Sequence, residues 1–108
     1  IPTFFQYEAS ADRGNSSKLL VNCLHNGKYA INYSDQELKE ASLVWICNPN
    51  NPTGTEIPKD KIIDILQRAK GMVIVDECNY EYLRETIINL IDKYSNLIIS
   101  RSFSKNFG

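Results

Sequence analysis

Leu43-Val44-Trp45-Ile46-Cys47, followed at once by Asn48-Pro49-Asn50-Asn51-Pro52-Thr53-Gly54, is the stretch on which the fold turns. Its five apolar residues run without the alternation of a half-exposed strand, which predicts a strand covered on both faces, as in a parallel sheet. Two further runs of this kind follow. Met72-Val73-Ile74-Val75 is closed by Asp76-Glu77, and Leu97-Ile98-Ile99 empties into Ser100-Arg101-Ser102-Phe103-Ser104-Lys105-Asn106-Phe107-Gly108. Between the first two runs, Pro58 opens a helical pattern over 59–70 with Ile62, Ile63, Ile65, Leu66 and Ala69 on one apolar face and Gly71 as its C′ stop. Between the second and third, residues 86–94 read as a helix with Ile87, Leu90 and Ile91 on the inner side. Strand, helix, strand, helix, strand predicts an α/β fold, a mainly parallel sheet with flanking helices.

Upstream of this unit the pattern is more broken. A short helix begins near Gln6 and ends before the turn Gly14-Asn15-Ser16-Ser17. Residues 18–24 and 29–33 read as strands joined by a tight turn in which Asn26-Gly27 favours positive φ. Ser34 is a good N-cap for a helix over 35–41, and Glu37 at the third position completes a capping box. No repeat, low-complexity segment or linker divides the 108 residues, so residues 1–108 form one domain or most of one.

Charge and composition narrow the function. The net charge is −1, acidic and basic residues are mixed, and no basic stripe is interleaved with aromatics, which argues against nucleic acid as a partner. No apolar run approaches the roughly 20 residues that span a bilayer, and the start carries no secretion signal, so no membrane partner is expected. Cys23, Cys47 and Cys78 are odd in number and far apart, each in or beside an apolar run, and read as buried free thiols of a reducing, cytoplasmic compartment. His25 has no Cys or carboxylate at ligand spacing and reads as a surface turn residue, so no metal site is expected. The chain begins with Ile1 and stops three residues past Lys105, which reads as a segment of a longer polypeptide.

Chemistry collects where the three runs end, because ligands of open α/β sheets bind at the carboxyl ends of the strands. The Asn-Pro loop has two prolines that fix φ and a glycine that frees it; it reads equally as a rigid turn and as a device holding Asn51 at a fixed point, with Asn51-Pro52 the candidate for a cis peptide. Asp76 reads as a strand-end cap or as an anion holding a buried cation. Lys105 reads as a surface lysine or as an amine nucleophile set beside the hydroxyls of Ser102 and Ser104. Taken together, an amine, a facing carboxylate, an amide and paired hydroxyls are the groups pyridoxal phosphate requires: a Schiff-base lysine, a partner for the pyridine nitrogen, a donor to the ring oxygen and ligands for the phosphate.

Asn-Pro-x-Asn-Pro-Thr-Gly, Val-Asp-Glu at a strand end and Ser-x-Ser-Lys-x-x-Gly, in this order and spacing, resemble the fold-type-I, class I/II aminotransferases, and most closely the histidinol-phosphate aminotransferase branch. The resemblance covers essentially the whole chain. It implies that Asn51 bonds the cofactor's ring oxygen, Asp76 pairs with the pyridine nitrogen, Lys105 is the catalytic Schiff-base lysine, Ser102 and Ser104 reach the phosphate, and Phe4 stacks on the ring. It also implies an amino donor and a 2-oxo acid acceptor as substrates and a homodimer at full length. Two departures stand out. Asn79 occupies the place of the family's Tyr three residues after the Asp, so either Tyr80 takes over that contact with the ring oxygen or the contact is lost. The Gly-rich phosphate loop, the phosphate-binding Arg beyond the Lys and the small domain have no counterpart here, so the chain resembles an incomplete large domain that is inactive alone. Decarboxylation of the threonine-phosphate type on the same scaffold and a non-catalytic relic of the fold are the alternatives.

Overall fold

The computed structural model describes residues 1–83 and 85–105. Its centre is a three-stranded parallel sheet of β3 (Leu43–Cys47), β4 (Met72–Asp76) and β5 (Leu97–Ser100), in the order β3-β4-β5. The α/β class and the parallel sheet expected from the three apolar runs are therefore present. Ahead of it come α1 (Gln6–Arg13), a small antiparallel hairpin of β1 (Leu24–His25) and β2 (Lys28–Tyr29), and α2 (Asp35–Glu40); α3 (Lys59–Arg68) connects β3 to β4.

Local chemistry accounts for several of these boundaries. Asn26 and Gly27 sit at φ 50° and 73°, the pair of positive values that a two-residue hairpin turn needs to match strand twist. Ser34 accepts from the Glu37 N–H at 3.2 Å while the Ser34 N–H donates to Glu37 Oε2 at 2.6 Å, so the capping box is closed in both directions. Donation from the Ser34 N–H, and then from the Ser34 hydroxyl to Oε2 at 2.8 Å, holds the Glu37 carboxyl below its usual range. Pro58 caps α3 at φ −57°, and Lys61 and Ile62 donate back to its carbonyl.

The core lies on one face of the sheet. Ile62, Ile65 and Leu66 of α3 pack with Ile46, Val73, Val75 and Leu97, joined by Leu38 of α2 and by Ile57, Ile87 and Leu90 from loops. Each such side chain contributes about 1.5–3 kcal/mol by leaving water. The opposite face differs from the expectation of strands covered on both sides. Leu43, Trp45, Met72 and Ile98 there are 43, 41, 37 and 43% exposed, and among the described residues the ring contact on this face is Tyr7 of α1, stacked on Trp45 with centroids 4.8 Å apart. A continuous apolar run records that both faces are suited to burial, while the covering itself has to come from other elements.

Three further expectations are revised. The strands expected over 18–24 and 29–33 shrink to two residues each, because the hairpin arms pair with one another and with no third strand among the described residues. The helix expected over 86–94 is a single 3-10 turn, Ile88–Leu90; Ile87 and Leu90 are buried, but Ile91 is 42% exposed. Spacing of three residues suits a 3-10 turn as well as an α-helix, and Glu77 Oε1 accepts the Ile87 N–H at its start, at 2.9 Å. Gly71 is not a left-handed stop: α3 ends at Arg68 with Ala69 as its cap, and a Cβ on Gly71 would run into the backbone carbonyls of Ser42 and Ala41. Its small size lets β3 and β4 begin side by side.

Candidate functional site

Strand register decides which side chains reach the carboxyl edge and on which face. Cys47 pairs with Asp76 and Asp76 with Ser100, while Val73 and Val75 pair with Leu97 and Ile99. Since side chains alternate along a strand, Asp76 emerges on the open face with Trp45 and Ile74, and Glu77 continues the covered face of Val73 and Val75. The two adjacent carboxylates are thus sent to opposite sides of the sheet.

On the open side lies a cavity of about 240 Å³ lined by Phe4, Cys47, Asn51, Asp76, Cys78, Asn79, Ser102, Ser104 and Lys105. Six of the residues singled out in the sequence, Phe4, Asn51, Asp76, Ser102, Ser104 and Lys105, meet here although they span about a hundred positions. Tyr80 is not among the lining residues: the Arg101 guanidinium sits over its ring at 3.9 Å, while Asn79 faces the cavity. The Gly108 that ends the lysine motif lies outside the described residues.

The Asn-Pro loop divides its three asparagines between structure and display. Asn48 and Asn50 are 3% and 2% exposed. Asn48 Oδ1 accepts the Ile57 N–H at 2.8 Å, its own N–H donates to the Asp76 carbonyl at 2.9 Å, and Asn50 Nδ2 donates to Thr53 Oγ1 at 2.9 Å and to the Pro2 carbonyl at 3.2 Å. The Gly54 N–H closes the turn onto the Asn50 carbonyl at 2.7 Å, with Gly54 at φ 66°, a value that asks for glycine. Asn51 is left exposed at the cavity wall. Its peptide bond to Pro52 is cis, as the sequence suggested, and so are Asn48-Pro49 and Ile1-Pro2.

Asp76 is held by two donors, the Cys78 N–H to Oδ1 at 2.9 Å and the Tyr7 hydroxyl to Oδ2 at 2.6 Å. Burial, then the Asp76 carboxylate, then Cys47 push the Tyr7 phenol far above its ordinary range, so it stays protonated and donates. Burial and then Asp76 push the Cys78 thiol up to about 11, and burial raises that of Cys47; all three cysteines are free. Beside the lysine, Ser102 Oγ and Ser104 Oγ share a hydrogen bond of 2.6 Å, and the Ser104 N–H donates to Ser102 Oγ at 3.1 Å.

On the covered side, fully buried Glu77 accepts from Arg101 Nη2 at 2.8 Å and Nε at 3.1 Å, from Thr86 Oγ1 at 2.8 Å and from the Ile87 N–H. Tyr7, Asn48, Asn50, Glu77 and Arg101 were not picked out from the sequence. For the last two a signal existed: Glu77 and Arg101 each stand two positions beyond a paired residue of the covered face, Val75 and Ile99, so parallel register sets them opposite each other.

The donor set fits pyridoxal phosphate on this chain's own chemistry. The cavity presents an amine, a carboxylate, an amide, two hydroxyls and an aromatic ring, and a carboxylate with one donor on each oxygen keeps a lone pair on each for a ring N–H.

Comparison with known proteins places the chain among relatives. The chain is 36% identical over 109 residues to the histidinol-phosphate aminotransferase of Caldanaerobacter subterraneus subsp. tengcongensis, an alignment covering 99% of this chain and 31% of that protein. It is 47% identical over 73 residues to the histidinol-phosphate aminotransferase of Ruminiclostridium cellulolyticum, covering 67% of this chain and 20% of that one. The crystal structure of the histidinol-phosphate aminotransferase from Clostridium acetobutylicum superposes with a TM-score of 0.82 at 27% identity, over 100% of this chain and 34% of that one. The chain thus spans about a third of the length of the first of these relatives and of the solved structure. Residues 2–108 match the family described as aminotransferase class I and II, to which this chain therefore belongs.

Proposed function

We propose that this chain is the cofactor-binding part of a pyridoxal-phosphate-dependent aminotransferase, a cytoplasmic homodimer at full length, that moves an amino group from an amino-phosphate donor of the histidinol-phosphate kind to a 2-oxo acid. The observation that carries the reading is the convergence of Lys105, Asp76, Asn51, Ser102, Ser104 and Phe4 on one cavity. The names of the relatives support the donor class. The chain covers 31% of such a relative, so the activity is proposed for the full-length protein.

When bound, pyridoxal phosphate supplies an aldehyde that condenses with amines and a protonated ring that draws electrons from the neighbouring carbon. Lys105 would be the catalytic residue: its Nζ would hold the cofactor's aldehyde carbon and, as a free amine, would carry the proton taken from the substrate Cα. Asp76 would keep a proton on the ring nitrogen by ion pairing, Asn51 would donate to the ring oxygen, Ser102 and Ser104 would hold the phosphate, and Phe4 would pack against the ring. Asn79, with its short amide, stands at the wall where a tyrosine would otherwise reach the ring oxygen, so Asn51 carries that contact, and Tyr80 serves as a support for Arg101.

The test is borohydride reduction of the full-length protein after incubation with pyridoxal phosphate, with the modified peptide located by mass spectrometry. The adduct is expected on Lys105 and is expected to vanish in Lys105→Ala; an adduct that persists in that variant sinks the assignment. A 2-oxo acid acceptor assay separates transamination from decarboxylation.

A further inference from the structure

Asp76 reaches the cavity already restrained from two directions. The Cys78 N–H, two residues on, comes with the turn after β4 and fixes only Oδ1. Oδ2 is fixed from 69 residues away by the Tyr7 hydroxyl at 2.6 Å. Tyr7 is itself held: its ring stacks on Trp45 at 4.8 Å with the planes 18° apart, and Phe4 meets it edge to face at 5.7 Å. The phenol oxygen therefore stands on α1 and β3 together, apart from the turn that supplies the Cys78 N–H.

A carboxylate with one anchored oxygen still rotates about its side-chain bonds. A second donor on the other oxygen sets the plane of the group and thereby the direction in which its remaining lone pairs are offered. A partner that arrives with its geometry set avoids reorganisation when a cation binds, which is how fixed polar groups contribute most to a site.

We infer that Tyr7 is a positioning residue for this site, orienting the Asp76 carboxylate toward the ring nitrogen of the cofactor while touching neither substrate nor cofactor itself. The inference rests on the proposed role of Asp76. It links α1, which carries no residue of the lysine, aspartate or Asn-Pro motifs, to the strength of the Asp76 contact.

The experiment is equilibrium binding to the full-length protein of pyridoxal phosphate and of its analogue with carbon in place of the ring nitrogen. The ratio of the two affinities isolates the Asp76 contact, and the analogue reports whether the rest of the site is intact. The wild type is expected to prefer pyridoxal phosphate, Asp76→Ala to lose that preference, and Tyr7→Phe, which keeps the ring on Trp45, to lower it about 10-fold at nearly unchanged affinity for the analogue. If the wild type shows no preference, or Asp76→Ala retains it, the reading of Asp76 fails and the inference with it. If Asp76→Ala abolishes the preference while Tyr7→Phe keeps it in full, or Tyr7→Phe weakens both ligands equally, the inference about Tyr7 is overturned and the role of Asp76 stands.

Discussion

Glu77 and Arg101 meet two positions beyond Val75 and Ile99, the last paired residues of the covered sheet face, with Arg101 Nη2 2.8 Å from Glu77 Oε2 and the carboxylate fully buried. The pair ties the ends of β4 and β5, and hence Asp76 and the segment leading to Lys105, into one unit. Thr86 and the Ile87 N–H complete the shell of the carboxylate, so the charge is removed from water with its hydrogen bonds satisfied.

Arg101→Met leaves that buried charge without its cation and is expected to lower stability by about 3–5 kcal/mol. The double variant Glu77→Gln/Arg101→Met keeps an acceptor for Ile87 and removes the charge, so it is expected to be more stable than Arg101→Met alone. Urea unfolding of the parent chain and the two variants measures both; equal stability of the single and double variants would mean that the ion pair is not what holds the strand ends.

The thiol of Cys78 gives a pH signature. Its value moves from 9.0 to about 11 through burial and the Asp76 carboxylate, so the folded state holds the proton longer than the unfolded one. The associated stability is complete below pH 9.0 and is lost as pH rises toward about 11, a slope that Cys78→Ala should reduce. At pH 8 the thiolate fraction, and with it the rate of alkylation by iodoacetamide, is expected to be about 100-fold below that of an ordinary cysteine. Alkylation of Cys78 at the rate of a free thiol would contradict this placement.

Asn48 is expected to matter more for the shape of the Asn-Pro loop than Asn51. Asn48→Ala strips the buried Ile57 N–H of its acceptor and should cost about 1–3 kcal/mol, with faster hydrogen exchange at Ile57. Asn51→Ala, at an exposed position, should leave stability within about 0.5 kcal/mol of the parent chain. The reverse ranking in thermal unfolding would show that the loop is held from its cavity side.

Gly71→Ala places a methyl against the backbone of Ser42 and Ala41, which cannot move without shifting the start of β3. A loss of roughly 1–3 kcal/mol is expected, as for overpacking elsewhere. Gly27→Ala in the hairpin turn has open space around it, and its cost comes from the positive φ alone. Calorimetric melting of the two variants distinguishes these origins, since Gly27→Asn should recover what Gly27→Ala loses and Gly71→Asn should recover nothing.

What could be read directly from the residues is whatever depends on neighbours in the chain. Apolar runs marked the three parallel strands, Ser34 and Glu37 their capping box, Asn26-Gly27 the hairpin turn, and the polar ends of the runs marked Asn51, Asp76, Ser102, Ser104 and Lys105 as wall residues of one cavity. What depends on a partner far along the chain was set by tertiary structure alone. The helical pattern over 86–94 yields only the 3-10 turn Ile88–Leu90, and Tyr80 lies under Arg101 while Asn79 faces the cavity. Tyr7 bonds Asp76 across 69 residues, a pairing that no period or spacing in the sequence contains. Periodicity reports the face a residue prefers; only the packed register of β3, β4 and β5 decides which two side chains meet there.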